Sequence, residues 1–230
     1  MLIITGPGRS GTSVLALFCQ KLGYDPGGQW NASVDAGLEH PQVVAINDAL
    51  LGDIWATGTT KKTLAAHADT MRQLPFPVIK DPRFTFHPGI LRAWRSVRDD
   101  LTVILTYRKP EHSLASRQRK AELLQHPGKT HPDTLRKDFA DTIECLLELG
   151  IPFRVFLFPH FLEQYRCVQA ALTELGLAIP EERGERAWRA IVNRKKVHFG
   201  SLAPPSDSGQ PGSWRLDLHH LATRLWKGQE

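Results

Sequence analysis

The order of elements in this chain predicts an α/β fold, a three-layer sandwich with a central mainly parallel sheet flanked by helices. Short apolar or β-branched runs alternate with helical patterns. Strands joined through helices pair in parallel, and both sheet faces are then covered. Three of the four expected strands lead into polar, chemically capable residues: the segment after Thr5, then Lys80 to Arg83, then Arg108. Ligands of open parallel sheets bind beyond the carboxyl ends of the strands, so these three ends mark the expected site.

Leu2-Ile3-Ile4 forms the first strand. Val14, Leu15, Leu17, Phe18 and Leu22 follow at helical spacing, and Gly23 stops that helix. Residues 24–41 carry many Gly, Asn, Asp and Pro residues and read as loop. A helix is expected over 43–51. Pro77-Val78-Ile79-Lys80 makes the second strand, broken by Asp81-Pro82. Leu101-Thr102-Val103-Ile104-Leu105-Thr106 makes the third. Helices are expected from soon after Pro110 to about Leu124, and over 132–149, where Leu135, Phe139, Ile143, Leu146 and Leu147 form one stripe. Phe153-Arg154-Val155-Phe156-Leu157-Phe158 is the fourth strand, and a helix over 161–175 stops at Gly176. Helices over 187–192 and 214–226 close the chain around a polar loop at 203–213.

The 230 residues, 41% hydrophobic and 23% charged, fit one globular domain spanning 1–230. No run approaches the ~20 apolar residues of a membrane span. Met1-Leu2-Ile3-Ile4-Thr5 lacks the basic segment and long apolar stretch of a secretory signal. Cys19, Cys145 and Cys167 are odd in number, widely spaced and set in apolar helical patterns, which predicts buried reduced thiols and a cytoplasmic location. The 10 histidines show no metal-ligand spacing, so no metal is expected; His219-His220, and His126 with His131, read as surface residues. With 29 Lys and Arg against 24 Asp and Glu, the formal net charge is +5. That suits an anionic ligand. No zinc pattern, recognition helix or RNA-binding aromatic motif accompanies the charge, so nucleic acid is not expected as a partner.

The segment Gly6-Pro7-Gly8-Arg9-Ser10-Gly11-Thr12-Ser13 joins the first strand to the first helix. Gly6, Gly8 and Gly11 permit a tight turn and close backbone approach to an anion. The helix start adds N–H groups and a positive dipole end, while Thr12 and Ser13 add hydroxyls. This is the context of a P-loop-type phosphate cradle. However, Thr12-Ser13 stand where a nucleoside triphosphatase carries Lys-Ser or Lys-Thr, and that lysine holds the β- and γ-phosphates. Its absence counts against ATP or GTP hydrolysis, as does the lack of a strand ending in an evident magnesium-binding Asp. Arg9 is the nearest basic side chain.

Residues 8–13 resemble the phosphosulfate-binding loop of sulfotransferases that use 3′-phosphoadenosine 5′-phosphosulfate (PAPS), which commonly reads Pro-Lys-Ser-Gly-Thr-Thr. Arg9 takes the place of the usual lysine, as in bacterial members, keeping the charge while changing its geometry. That family holds the nucleotide 3′-phosphate with an Arg at a strand end and a Ser eight positions later on the next helix. Arg108 and Ser116 match this pattern, offering a charged fork and a hydroxyl to one phosphate. Lys80-Asp81-Pro82-Arg83 is similar to a segment of the bacterial members, and residues 158–177, ending in Leu175-Gly176-Leu177, are similar to another. The resemblance covers residues 1–180, approximately.

The resemblance implies a P-loop-type fold and sulfuryl transfer from PAPS to a hydroxyl or amine, releasing adenosine 3′,5′-bisphosphate without a metal. The acceptor would be a small molecule or glycan, whether carbohydrate, lipid or small metabolite. Gly8, Arg9, Ser10, Gly11, Thr12, Ser13, Arg108 and Ser116 are then the expected donor-binding residues. Arg9, Lys80 and the helix start at Thr12 are the expected partners of the charge on the departing oxygen. Gly37-Leu38-Glu39 is similar to a bacterial Gly-aromatic-x-Glu segment whose Glu lies by the acceptor, with Leu38 at a usually aromatic position. Glu39 is the expected base, with His40 and Asp35 as alternatives.

Arg83 reads either as an ion-pair partner of Asp81 or as a substrate contact. Residues 209–215 are similar to an adenine-binding segment of the family but lack its Arg-Lys pair. Arg117-Gln118-Arg119-Lys120 reads as an exposed helix face, with an anionic-glycan patch as the alternative. Two other functions stay open: a P-loop small-molecule kinase requiring Mg²⁺ and ATP, and a non-catalytic nucleotide- or sulfated-ligand-binding protein of the same fold.

Overall fold

A computed structural model describes residues 1–31, 36–119 and 131–192. Strand β1 (Leu2–Thr5) is buried along its length and leads through the glycine-rich loop into α1 (Thr12–Lys21). An antiparallel pair, β2 (Trp30–Asn31) and β3 (Ala36–Gly37), precedes α2 (Pro41–Thr57) and α3 (Lys61–Gln73). Then come β4 (Val78–Lys80), a 3₁₀ turn (Pro82–Thr85), α4 (Pro88–Val97), β5 (Thr102–Tyr107) and α5 (Pro110–Arg119). The described chain finishes with α6 (Pro132–Glu148), β6 (Phe153–Leu157), a second 3₁₀ turn (His160–Glu163), α7 (Tyr165–Glu174) and α8 (Glu181–Ile191).

The main sheet has the order β4-β1-β5-β6, and every pairing in it is parallel. Ile3 stands opposite both Ile79 and Val103, which makes β1 a central strand. Because strand side chains alternate, β1 feeds two cores. Leu2 and Ile4 pack with Leu15, Phe18, Ile104, Leu172 and Trp188 under α1, α7 and α8. Ile3 packs with Val43, Leu50, Phe84, Trp94, Val103 and Leu146 under α2, α4 and α6. A fully buried Leu or Ile contributes about 1.5–3 kcal/mol, so these two layers fix the sheet in place. The expected three-layer arrangement is present.

Several boundaries differ from expectation for identifiable reasons. The second and third strands begin one residue later than expected, and the fourth ends at Leu157. The loop read over 24–41 contains β2 and β3, which are too short to show an alternation. Helix α3 was not expected: Thr63 and Met71 are its buried residues, so it carries no apolar stripe. The expected 161–175 helix divides into a 3₁₀ turn and α7, and α8 starts at Glu181, ahead of the expected 187; its acidic first turn carries no apolar spacing in the sequence. Cys19 and Cys145 are buried free thiols, but Cys167 is exposed, which corrects the expectation for that residue. Burial pushes the Cys19 thiol up to about 12. Residues 203–213, the 214–226 helix, His126 and His219-His220 lie outside the described residues, as does the expected continuation of α5 beyond Arg119. No described helix is long and apolar enough to cross a membrane.

Candidate functional site

The loop after β1 is shaped by its glycines and one strained arginine. A Cβ on Gly6 would stand 2.3 Å from Thr106 Oγ1 and 2.4 Å from the Thr106 carbonyl oxygen, so the loop can approach the end of β5 only without a side chain there. Gly11 has φ 93 and precedes α1, whose first turn carries no acidic residue. The first N–H groups of a helix lack intrahelical partners, so Thr12 and Ser13 present donors at the loop. Ser10 Oγ hydrogen bonds to Thr106 Oγ1 at 2.6 Å. Its hydroxyl is thereby engaged within the protein, and Ser10 is fully buried.

Arg9 has φ 69 and Leu38 has φ 71; among the described residues they are the two non-glycine positions with positive φ. Such conformations cost about 1–3 kcal/mol and persist only where the surroundings enforce them. Both lie in the site. Arg9 Nε donates to Ser116 Oγ at 3.3 Å, and Arg108 Nη1 donates to the Arg9 carbonyl at 3.2 Å. Thus Arg9 joins the loop to the end of β5 and to α5, bringing Arg108 and Ser116 onto the same feature. Arg108 and Ser116 are each 8% exposed, and the Arg108 guanidinium lies 5.1 Å from the centre of the Phe158 ring.

Leu38 anchors the other side. Its side chain is fully buried in the core beneath α1, so its strained backbone is held from below, and Gly37 before it has φ 126. This turn leaves the Gly37 carbonyl and the Glu39 carboxylate facing β4. Lys80 Nζ donates to the Gly37 oxygen at 3.0 Å and forms an ion pair with Glu39. Lys80 is 2% exposed, whereas the Glu39 side chain keeps 27% exposure. Burial pushes Lys80 below the ordinary lysine range, with the Glu39 and Asp81 carboxylates opposing that shift. The lysine therefore sits inside and the carboxylate at the rim.

Asp81 ties this lysine to the loop strand. Its backbone N–H donates to the Ile4 carbonyl at 3.2 Å, and its own carbonyl accepts from Thr5 Oγ1 at 2.8 Å. Its carboxylate accepts from the Arg83 N–H at 2.9 Å, from Arg83 Nη1 at 3.1 Å and from Asn47 Nδ2 at 3.0 Å. Asn47 Oδ1 in turn accepts from Trp94 Nε1 at 2.8 Å. Burial pushes the Asp81 carboxyl up, opposed by the Arg83 charge and these hydrogen bonds. Arg83 also pairs with Asp48 at 2.5 Å, so the structure places it in an ion-pair cluster.

His40 is engaged elsewhere. Its Nδ1 accepts from the Gln42 N–H at 3.2 Å, capping α2, and its ring lies 4.3 Å from that of Phe76. A neutral imidazole so used has its remaining nitrogen protonated and no spare lone pair. Asp35, Lys120 and residues 209–215 lie outside the described residues. The expectation of an exposed face at Arg117 is corrected: Arg117 is 6% exposed. Its guanidinium lies against the loop, and a Cβ on Gly8 would stand 3.0 Å from Nη2.

Asn47, Trp94, Thr106 and Phe158 were not singled out in the sequence. Asn47 did leave a signal, as a polar residue within the apolar pattern of Val43, Ile46, Leu50 and Leu51. Among the described residues no group of three His, Cys, Asp or Glu is positioned to hold a metal ion. Chemically, the site combines guanidinium groups and a helix start around a backbone cradle with a lysine–carboxylate pair at the neighbouring strand end.

No family model and no curated protein matches the chain. Among solved structures, it is similar to the sulfotransferase domain of the Synechococcus PCC 7002 olefin synthase, with a TM-score of 0.49 and 15% identity over 98% of this chain and 94% of that one. It is also similar to sulfotransferase STF1 from Mycobacterium tuberculosis H37Rv, with a TM-score of 0.41 and 14% identity over 82% of this chain and 70% of that one.

Proposed function

We propose that this protein is a PAPS-dependent sulfotransferase acting on a hydroxyl or amine. The observation that carries the reading is the junction at Arg9, where the loop meets both Arg108 and Ser116. Those residues carry the sequence resemblance separately, and their contact makes one polyanion site of two motifs. The chemistry of the donor set fits the nucleotide: guanidinium forks and a helix start suit phosphates.

In this reading Gly8, Arg9, Ser10, Gly11, Thr12 and Ser13 hold the 5′ phosphosulfate, and Arg108 with Ser116 holds the 3′-phosphate. When bound, the donor supplies an activated sulfuryl group. Glu39 takes the proton from the acceptor hydroxyl or amine as its oxygen or nitrogen bonds to sulfur. Lys80, Arg9 and the start of α1 stabilise the charge left on the phosphate oxygen. The acceptor would be a carbohydrate, lipid or small metabolite reaching Glu39 from the exposed rim.

Sulfur-labelled PAPS incubated with the purified protein and an acceptor panel of these three classes tests the reading. Labelled product is expected. Glu39→Gln is expected to lower turnover at least about a hundredfold while leaving adenosine 3′,5′-bisphosphate bound. Normal turnover in Glu39→Gln would reject this base. Bound bisphosphate with no product from any acceptor would identify a non-catalytic nucleotide-binding protein instead.

A further inference from the structure

We propose that Arg117 is a further ligand of the anion seated on the loop, reading the phosphate on the 5′ side of a 3′-phosphorylated nucleotide. This rests on the nucleotide reading above. Arg117 follows Ser116 on α5, and the two residues touch successive parts of the loop. Ser116 Oγ accepts from Arg9, while the Arg117 guanidinium lies over Gly8. A Cβ at Gly8 would stand 3.0 Å from Arg117 Nη2 and 3.5 Å from both Cζ and Nε, so the guanidinium lies beside this residue. The approach to Nη2 is tighter than most real Cβ contacts, while those to Cζ and Nε are ordinary van der Waals contact. A side chain at Gly8 would press on Nη2, so this glycine lets the guanidinium approach the loop backbone closely.

Arg117 is 6% exposed and a guanidinium stays charged at every working pH. Placing a third such group beside Arg9 and Arg108 raises the positive potential of one small cradle. This arrangement favours a ligand that brings more than one negative charge. The loop side of the cradle, rather than the Arg108 side, is where Arg117 sits, which assigns it to the 5′ group.

The test is calorimetric titration of wild type and Arg117→Gln with adenosine 3′,5′-bisphosphate, adenosine 5′-phosphate and adenosine 3′-phosphate, alongside their unfolding midpoints. Arg117→Gln is expected to weaken the bisphosphate and the 5′-phosphate by about tenfold to a hundredfold and to leave the 3′-phosphate unchanged. An arginine serving the fold alone would lower the midpoint and weaken both monophosphates alike, and that result overturns the proposal. So does unchanged affinity for all three. If Arg117→Gln does not fold, Arg117→Lys carries the same comparison, because it keeps the charge but loses the planar fork. If wild type binds none of the nucleotides but binds pyrophosphate, and Arg117→Gln loses it, the arginine assignment stands and the nucleotide reading fails. Binding of neither overturns both.

Discussion

At the scale of the residue, Lys80 combines two opposed demands. It is nearly inaccessible, and burial pushes its pKa below the ordinary lysine range of about 10.4. Its proposed task needs the proton. As pH rises through the lowered value, Lys80 loses charge before an exposed lysine would, and the Glu39 pair dissolves with it. An alkaline limb of turnover is therefore expected below the exposed-lysine range. Lys80→Arg should move that limb up, since arginine stays charged; an unmoved limb would contradict this role.

Stability runs the other way. A lysine whose folded pKa lies below its unfolded value costs stability while charged, and the cost is relieved as pH rises toward 10.5. Turnover and stability should thus part company in alkali. Lys80 and Glu39 could be singled out in the sequence through a resemblance, but their pairing could not. It depends on a left-handed backbone at Leu38, which no side-chain pattern signals.

At the scale of the element, three helices begin in the same way. His40-Pro41, His87-Pro88 and His131-Pro132 each put a histidine at the cap, with Nδ1 accepting an N–H two residues on, and a proline in the first turn. Proline there has no N–H to satisfy and its φ suits the helix. Protonation removes the acceptor. Burial lowers the His40 pKa, with Asp25 opposing, so the fold prefers the neutral ring and loses stability as pH falls below 6.5. His40→Asn should keep the cap, change stability at pH 7 by less than about 1 kcal/mol and flatten the loss between pH 7 and 5. Denaturant titrations at several pH values would show it, and an unchanged slope would refute the role of His40. The His-Pro repeats are visible in the sequence, and helices are expected behind those at 40–41 and 131–132, whereas α4, behind the third, is not among the expected elements. Strand cores were easier, since β1 and β5 are continuous apolar runs whose burial on both faces requires that composition.

At the scale of the molecule, the sheet order explains why distant motifs meet. β1 lies between β4 and β5, so the loop after β1 is flanked by Lys80 on one side and Arg108 on the other. Strand alternation with helices foretold the parallel sheet, and with it the gathering of strand ends. What it could not foretell was which side chains turn inward after those ends. Arg117, within a basic run that resembles a solvated face, is instead buried with its guanidinium beside Gly8. On the proposed reading these ends form one site for a 3′-phosphorylated nucleotide without a bound metal. Calorimetric titration of adenosine 3′,5′-bisphosphate into the full chain, in the presence of a metal chelator, tests it most directly. Saturable one-to-one binding is expected, weakened at least about tenfold by Arg108→Ala. No binding by the wild-type protein, or binding indifferent to Arg108→Ala, would contradict it.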